Sequence, residues 1–138
     1  MAQQQGGSGK TNTPGELARL AAELAIEKKG EDVVILDLRR FSIGCDFFVI
    51  VTATSDPHVR AVAEWIQDEM TRRREVRPWH REGFTQGRWI LLDYVDWVAH
   101  VFLAEARQHY LLERLWGDAP REDVGGQRTE EGSGQSGS

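Results

Sequence analysis

Two short runs constrain this chain more than anything else in it. Val33-Val34-Ile35-Leu36-Asp37-Leu38 and Phe47-Phe48-Val49-Ile50-Val51-Thr52 are apolar at nearly every position. A strand with one wet face alternates apolar and polar residues, whereas a continuous run is the pattern of a strand buried on both faces. Such strands need cover above and below, which points to an α/β protein with helices packed on a sheet.

The flanking sequence supplies the helices. Thr13-Pro14-Gly15-Glu16 matches a capping box, with Thr13 as N-cap and Pro14 in the first turn. Leu17, Leu20, Ala21, Leu24 and Ala25 then share one stripe, so a helix is predicted over 14–29 with Gly30 as its C′ residue. After the second run, Asp56 as cap and Pro57 at the first position open another helix, whose buried stripe is Val59, Val62, Ala63, Ile66 and Met70. Arg72, Arg73 and Arg74 close it, where cations complement the helix dipole. Residues 76–82 read as an edge strand, because Pro78 removes a ladder donor. Residues 89–94 and 97–102 read as an antiparallel hairpin, and a last helix runs over 104–116 with Leu111, Leu112, Leu115 and Trp116 inward. The predicted order is α-β-β-α-β-β-β-α, a single domain with a five-stranded mixed sheet.

Composition sets the limits of that domain. Of 138 residues, 14 are glycine, gathered largely toward the two ends. Residues 1–13 hold no large apolar side chain beyond Met1, and residues 121–138 hold only Val124. Both ends are therefore expected to be disordered, leaving 14–120 as the folded body. The single cysteine, Cys45, allows neither an internal disulfide nor a thiolate zinc site. No apolar stretch reaches membrane-spanning length or forms a signal-peptide core, so a cytoplasmic protein is expected. The net charge of −5 argues against coating nucleic acid by bulk electrostatics.

Candidate chemistry is sparse. Gly6-Gly7-Ser8-Gly9-Lys10-Thr11 resembles a phosphate loop, but Gln4 stands where the first glycine belongs and no strand precedes it. His58, His80, His100 and His109 contain no i, i+4 pair for a metal. Asp93 and Asp96 are three apart, so strand alternation would point them to opposite faces, away from a shared catalytic ion. Cys45 has no adjacent base, and a buried inert thiol is the default. His100, mid-strand between Ala99 and Val101, would face outward with Val98 and Phe102 if its neighbours face the core; a structural histidine and a contact residue both fit. No cofactor and no enzymatic activity are expected.

Two surface features remain. Six arginines lie between Arg72 and Arg88, interleaved with Trp79 and Phe84, a combination that can grip single-stranded RNA or simply solvate a helix end and an edge. Trp89, Tyr94, Trp97 and Phe102 fall within fourteen residues, with Asp93, Asp96 and His100 among them. Three helices cannot easily cover both faces of such a hairpin. The excess is either an interface or a second layer of core.

At this point the residues resemble a known family. Asp46-Phe47-Phe48-Val49-Ile50, Thr52-Ala53-Thr54-Ser55, Glu82-Gly83, Trp89-Ile90-Leu91-Leu92-Asp93-Tyr94, His100-Val101-Phe102 and Leu115-Trp116 are similar, in order and spacing, to the ribosomal silencing factor family, the Iojap-like proteins. The resemblance implies a non-catalytic translation repressor with a distantly nucleotidyltransferase-like α/β fold. It implies binding to the large ribosomal subunit through the fourteenth ribosomal protein, blocking of subunit joining, and a homodimer. The family's contact positions carry onto Trp89, Asp93, Tyr94, Asp96 and His100, and its final-helix positions onto Arg107 and Tyr110. The chain departs from the pattern in the turn, with Val95 where the family usually has glycine and Trp97 where it has an aliphatic residue. The alternative class is a nucleotidyltransferase-like enzyme with an unrecognised site.

Overall fold

A computed structural model of the chain describes residues 12–110 and 118–126. The elements are α1 (Pro14–Glu27), β1 (Glu31–Asp37), a 3-10 turn (Arg39–Phe41), β2 (Phe47–Ala53), α2 (Asp56–Arg74), β3 (His80–Glu82), β4 (Trp89–Asp93), β5 (Trp97–Leu103), α3 (Ala104–Tyr110) and β6 (Arg121–Gly125). The sheet has six strands in the order β3-β4-β5-β2-β1-β6. β2 and β5 run parallel, from Phe47 opposite Trp97 to Ala53 opposite Leu103, and every other pair is antiparallel. The sheet is thus mixed, as expected.

The sixth strand corrects the sequence reading. Residues 121–125 belong to the stretch expected to be disordered, yet they pair with β1, Leu36 standing opposite Arg121 and Val34 opposite Asp123. Backbone bonds from Asp37 N to the Pro120 carbonyl and from Asp32 N to the Gly126 carbonyl hold both ends. Arg19 pairs with Glu122, which ties the strand to α1. Backbone pairing, the Arg19–Glu122 salt link and the packing of a single apolar side chain, Val124, place this strand, so composition carried little signal of it. The glycine-rich loop at 6–11 and the residues Leu111, Leu112, Leu115 and Trp116 lie outside the described residues.

Helix ends follow local chemistry with small shifts of register. Thr13 caps α1, its hydroxyl accepting from Glu16 N. At the far end Lys29, not Gly30, takes the left-handed conformation (φ 67°). Lys29 N bonds Ile26 O and Gly30 N bonds Ala25 O, the paired bonds of a Schellman ending with Gly30 one residue further out. Glycine is needed there for space, since a Cβ would stand 2.7 Å from a Val51 methyl. In α2 the cap is Ser55, whose hydroxyl accepts from His58 N, and Asp56 begins the helix instead of capping it.

The core lies on both faces of the sheet, unequally. α1 and α2 cover one face, closing over Val33, Ile35, Val49, Val51, Ile90, Leu92, Trp97, Ala99 and Val101. The other face gathers Val34, Leu36, Leu38, Ile50 and Phe102 beneath Ala106 of α3 and Ala119 of the connection to β6. No helix among the described residues is long and apolar enough to cross a membrane.

Candidate functional site

The β4–β5 hairpin carries most of the residues singled out in the sequence. Its ladder runs from Trp89 opposite Phe102 to Asp93 opposite Val98. Tyr94, Val95 and Asp96 make the turn. Tyr94 N donates to Trp97 O and Asp96 N to Tyr94 O, while the Asp93 carboxylate accepts from Val95 N at 2.8 Å. That arrangement holds Val95 at φ 76°, a left-handed conformation that a β-branched side chain resists. The turn therefore keeps a glycine-like shape without the glycine.

The structure separates the candidate residues into three groups. Asp93 and Asp96 are at the turn end of the hairpin, Asp93 half-buried and Asp96 exposed. They do not diverge as strand alternation suggested, because Asp96 sits in the turn, where alternation stops. Both carboxylates, with Asp46, act on the Cys45 thiol; burial first and these charges next push its pKa up to about 11. That keeps the thiol protonated and unreactive.

Tyr94 and His100 form the second group, and both are interior. Tyr94 is 8 % exposed and stacks on Trp97, rings parallel to within 2° and 4.2 Å apart, on the helix-covered face. Burial, with the Asp68 charge adding, raises its phenol well above the ordinary tyrosine range. His100 lies on the opposite face with Phe102, as strand alternation required, but it is not outward in the sense of exposed: only 4 % of it is accessible. Phe48 meets it edge-on at 4.5 Å and the Trp89 ring lies 5.9 Å away. The Trp89 indole Nε1 donates to His100 Nδ1 at 3.0 Å. An accepting Nδ1 requires the neutral tautomer with its proton on Nε2. Burial favours the same neutral form and lowers the imidazole pKa to about 3. This histidine is a structural acceptor for Trp89, which is itself half-buried and stacks on Phe102 at 4.9 Å.

Arg107 and Tyr110 are the third group, on α3. Arg107 Nη1 donates to the Asp32 carbonyl at 2.7 Å and to Thr52 Oγ1 at 2.6 Å. Asp32 sits at the irregularity between Glu31 and Val34, with φ 48°, which frees its carbonyl from the β1–β2 ladder. Arg107 thus ties α3 to β1 and β2. The Tyr110 side chain lies outside what the structure describes, as does that of His109.

The arginine-rich segment is largely engaged within the protein. Arg72 and Arg73 both donate to the Glu69 carboxylate, and the Arg72 bonds above all hold that carboxyl at about 2. Arg81 donates to Gln67 and lies over the Phe84 ring at 4.4 Å. Trp79, by contrast, is 76 % exposed. It was noticed in the sequence only as part of the basic cluster. The signal for its separate position was Pro78, which keeps residue 79 out of a regular strand. Among the described residues no three His, Cys, Asp or Glu side chains come together to hold a metal ion.

These features define a class: a helix-flanked, mixed-sheet α/β protein whose conspicuous surface is the end of an aromatic hairpin. Within that class the assignment is specific. The family model described as "Ribosomal silencing factor during starvation" matches residues 11–137. The chain is 38 % identical over 108 residues to the ribosomal silencing factor of Bacillus subtilis, covering 78 % of this chain and 91 % of that protein. It is 32 % identical over 98 residues to the chloroplastic protein Iojap of Zea mays, covering 71 % of this chain and 42 % of that one. A crystal structure from Chromobacterium violaceum superposes with a TM-score of 0.72 at 31 % identity, over 76 % of this chain and 87 % of the other. This chain belongs to the ribosomal silencing factor family.

Proposed function

We propose that this protein represses translation by occupying the large ribosomal subunit, through its fourteenth ribosomal protein, and blocking the small subunit sterically. The supporting observation is the hairpin end: two surface carboxylates, Asp93 and Asp96, on a turn held rigid by backbone bonds and backed by stacked aromatics. Rigid acidic surfaces suit basic partners, because complementary charge speeds encounter and fixes register. Family membership gives the ribosome as the partner.

In this reading Asp93, Asp96 and the accessible edge of Trp89 make the contact. Tyr94 and His100 shape it from inside, Arg107 holds the sheet beneath, and Tyr110 contributes from α3. A homodimer through the same surface would compete with the ribosome. Arg77 and Arg88, both exposed, would lie toward rRNA. The protein would act in the cytoplasm, without cofactor or chemistry.

Sedimentation with purified large subunits tests the reading. Wild type is expected in the pellet, and Asp96→Lys is expected to bind about tenfold more weakly, since a like charge is placed against a basic surface. Asp96 is exposed, so the fold is unaffected. Wild type remaining in the supernatant would refute ribosome binding, and an indifferent Asp96→Lys would move the contact off the hairpin end.

A further inference from the structure

Three large hydrophobic residues are exposed among those described: Trp79 at 76 %, Val95 at 54 % and Ile43 at 39 %. They come from three separate loops; Trp79 and Val95 stand together at one end of the sheet, and Ile43 precedes Gly44 there. Trp79 N donates to the Asp93 carbonyl, which fixes the indole beside the hairpin turn. Trp79, Val95, Asp93 and Gly44, the neighbour of Ile43, line a cleft of about 430 Å³. Gly44 has φ 97°, and a Cβ there would meet nothing, so that wall is open to solvent. Isolated surface hydrophobics are ordinary; two of the three lining one cleft, with the third next in sequence to a lining glycine, are not.

Three carboxylates gather at this end of the sheet, with Arg39 acting on one of them. Asp46 and Asp96 join Asp93 at this end, and all three act on the thiol of Cys45, which follows Gly44. An exposed indole face ringed by carboxylates attracts a cation twice, through the ring quadrupole and through the acids. We propose that this cleft is a docking groove for an arginine- or lysine-bearing segment of a protein, with the cationic side chain laid on Trp79 and an adjacent apolar side chain against Val95 and Ile43. The identity of that protein rests on the ribosomal reading above, whereas the recognition chemistry rests on the cleft alone.

The test uses the full chain, isotopically labelled, and follows the Trp79 indole and the Gly44 and Val95 amides by NMR. The probe is a synthetic hexapeptide alternating arginine and leucine, with a glutamate–leucine hexapeptide and a short uridine oligonucleotide as controls. The arginine peptide is expected to shift these three signals, and Trp79→Ala, a surface change that leaves the fold intact, to weaken its binding at least tenfold. Equal binding of either control, shifts elsewhere on the protein, or unchanged affinity in Trp79→Ala would overturn the proposal. So would shifts that follow protein concentration alone, which would assign the cleft to a second copy of the chain. Wild type that pellets with ribosomal subunits while the peptide leaves Trp79 unmoved would sink the groove and spare the ribosomal reading. A peptide that binds at Trp79 in a protein that fails to pellet would do the reverse.

Discussion

The two faces of the sheet are built by different means. The face under α1 and α2 is sealed by two long helices and is apolar almost throughout, from Leu24 to Val101. Among the described residues the opposite face carries α3, the connection around Ala119 and a set of aromatic rings, and it holds polar side chains among them. His100 accepts from Trp89 there, and Arg107 spans from α3 to two strands. A helix-covered face gains stability from area. The opposite face mixes paired and unpaired polar atoms, His100 Nδ1 being bonded and its Nε2 buried without a partner, and such an unsatisfied atom costs more than a bond gains.

That contrast predicts a ranking of effects. Trp97→Ala, on the helix-covered face, is expected to cost about 3–5 kcal/mol in a denaturant titration, because it removes a fully buried ring and unstacks Tyr94. A loss below 1 kcal/mol would mean that this face collapses around cavities more readily than its packing implies.

The polar face should show itself in acid. The folded His100 pKa, about 3, lies below the ordinary imidazole value of 6.5, so the unfolded chain takes up a proton that the native one refuses. Its contribution is therefore complete above pH 6.5 and is lost as pH falls toward 3, by up to about 1.4 kcal/mol per pH unit. Stability measured from pH 6.5 to 5 isolates this group from Glu69, whose depressed carboxyl matters only below 4.5. His100→Gln should flatten the slope in that window; an unaltered slope would assign it to another residue.

Arg107→Met should cost about 1–3 kcal/mol, since the buried Thr52 hydroxyl and the Asp32 carbonyl both lose a donor. Hydrogen exchange at Asp32 and Thr52 should accelerate more than at Ile90, on strand β4. Uniform acceleration would show that Arg107 supports the whole domain rather than this face.

The smallest effect is a gain. Val95→Gly should stabilise the protein by about 1 kcal/mol, because glycine occupies φ 76° without the clash that valine carries. Thermal unfolding would register this as a rise of about 4–8 °C. No rise would mean that the Val95 side chain makes compensating contacts.

The sheet and its helix-covered face were legible in the sequence because continuous apolar runs and i, i+3, i+4 stripes are local signals. The opposite face was not. The alternation of β5 gave the side on which His100 lies, but its burial depends on Phe48 and Trp89, which are remote in the chain. The strand at 121–125 was invisible for a related reason: Arg-Glu-Asp-Val-Gly has no strand pattern, and the open backbone groups of β1 decide its conformation. At the turn, propensity argued against a left-handed Val95, and the Asp93 cap overrode it. Within the candidate site, strand alternation was the wrong guide to Asp93 and Asp96, because Asp96 lies in the turn. The groove beside Trp79 depends on three loops meeting, which no single stretch of sequence encodes.

The late strand β6 has a consequence for how copies of this protein can meet. Among the described residues the outermost strands of the sheet are His80–Glu82 and Arg121–Gly125; the first is polar throughout, the second opens with Arg121-Glu122-Asp123, and these six residues are exposed. Another chain approaching either rim would have to strip water from these groups before a ladder could form. Assembly by extending the sheet, whether into a dimer or a fibre, is thereby disfavoured at both rims, which leaves side chains on a face or at the hairpin end as the better ground for self-association.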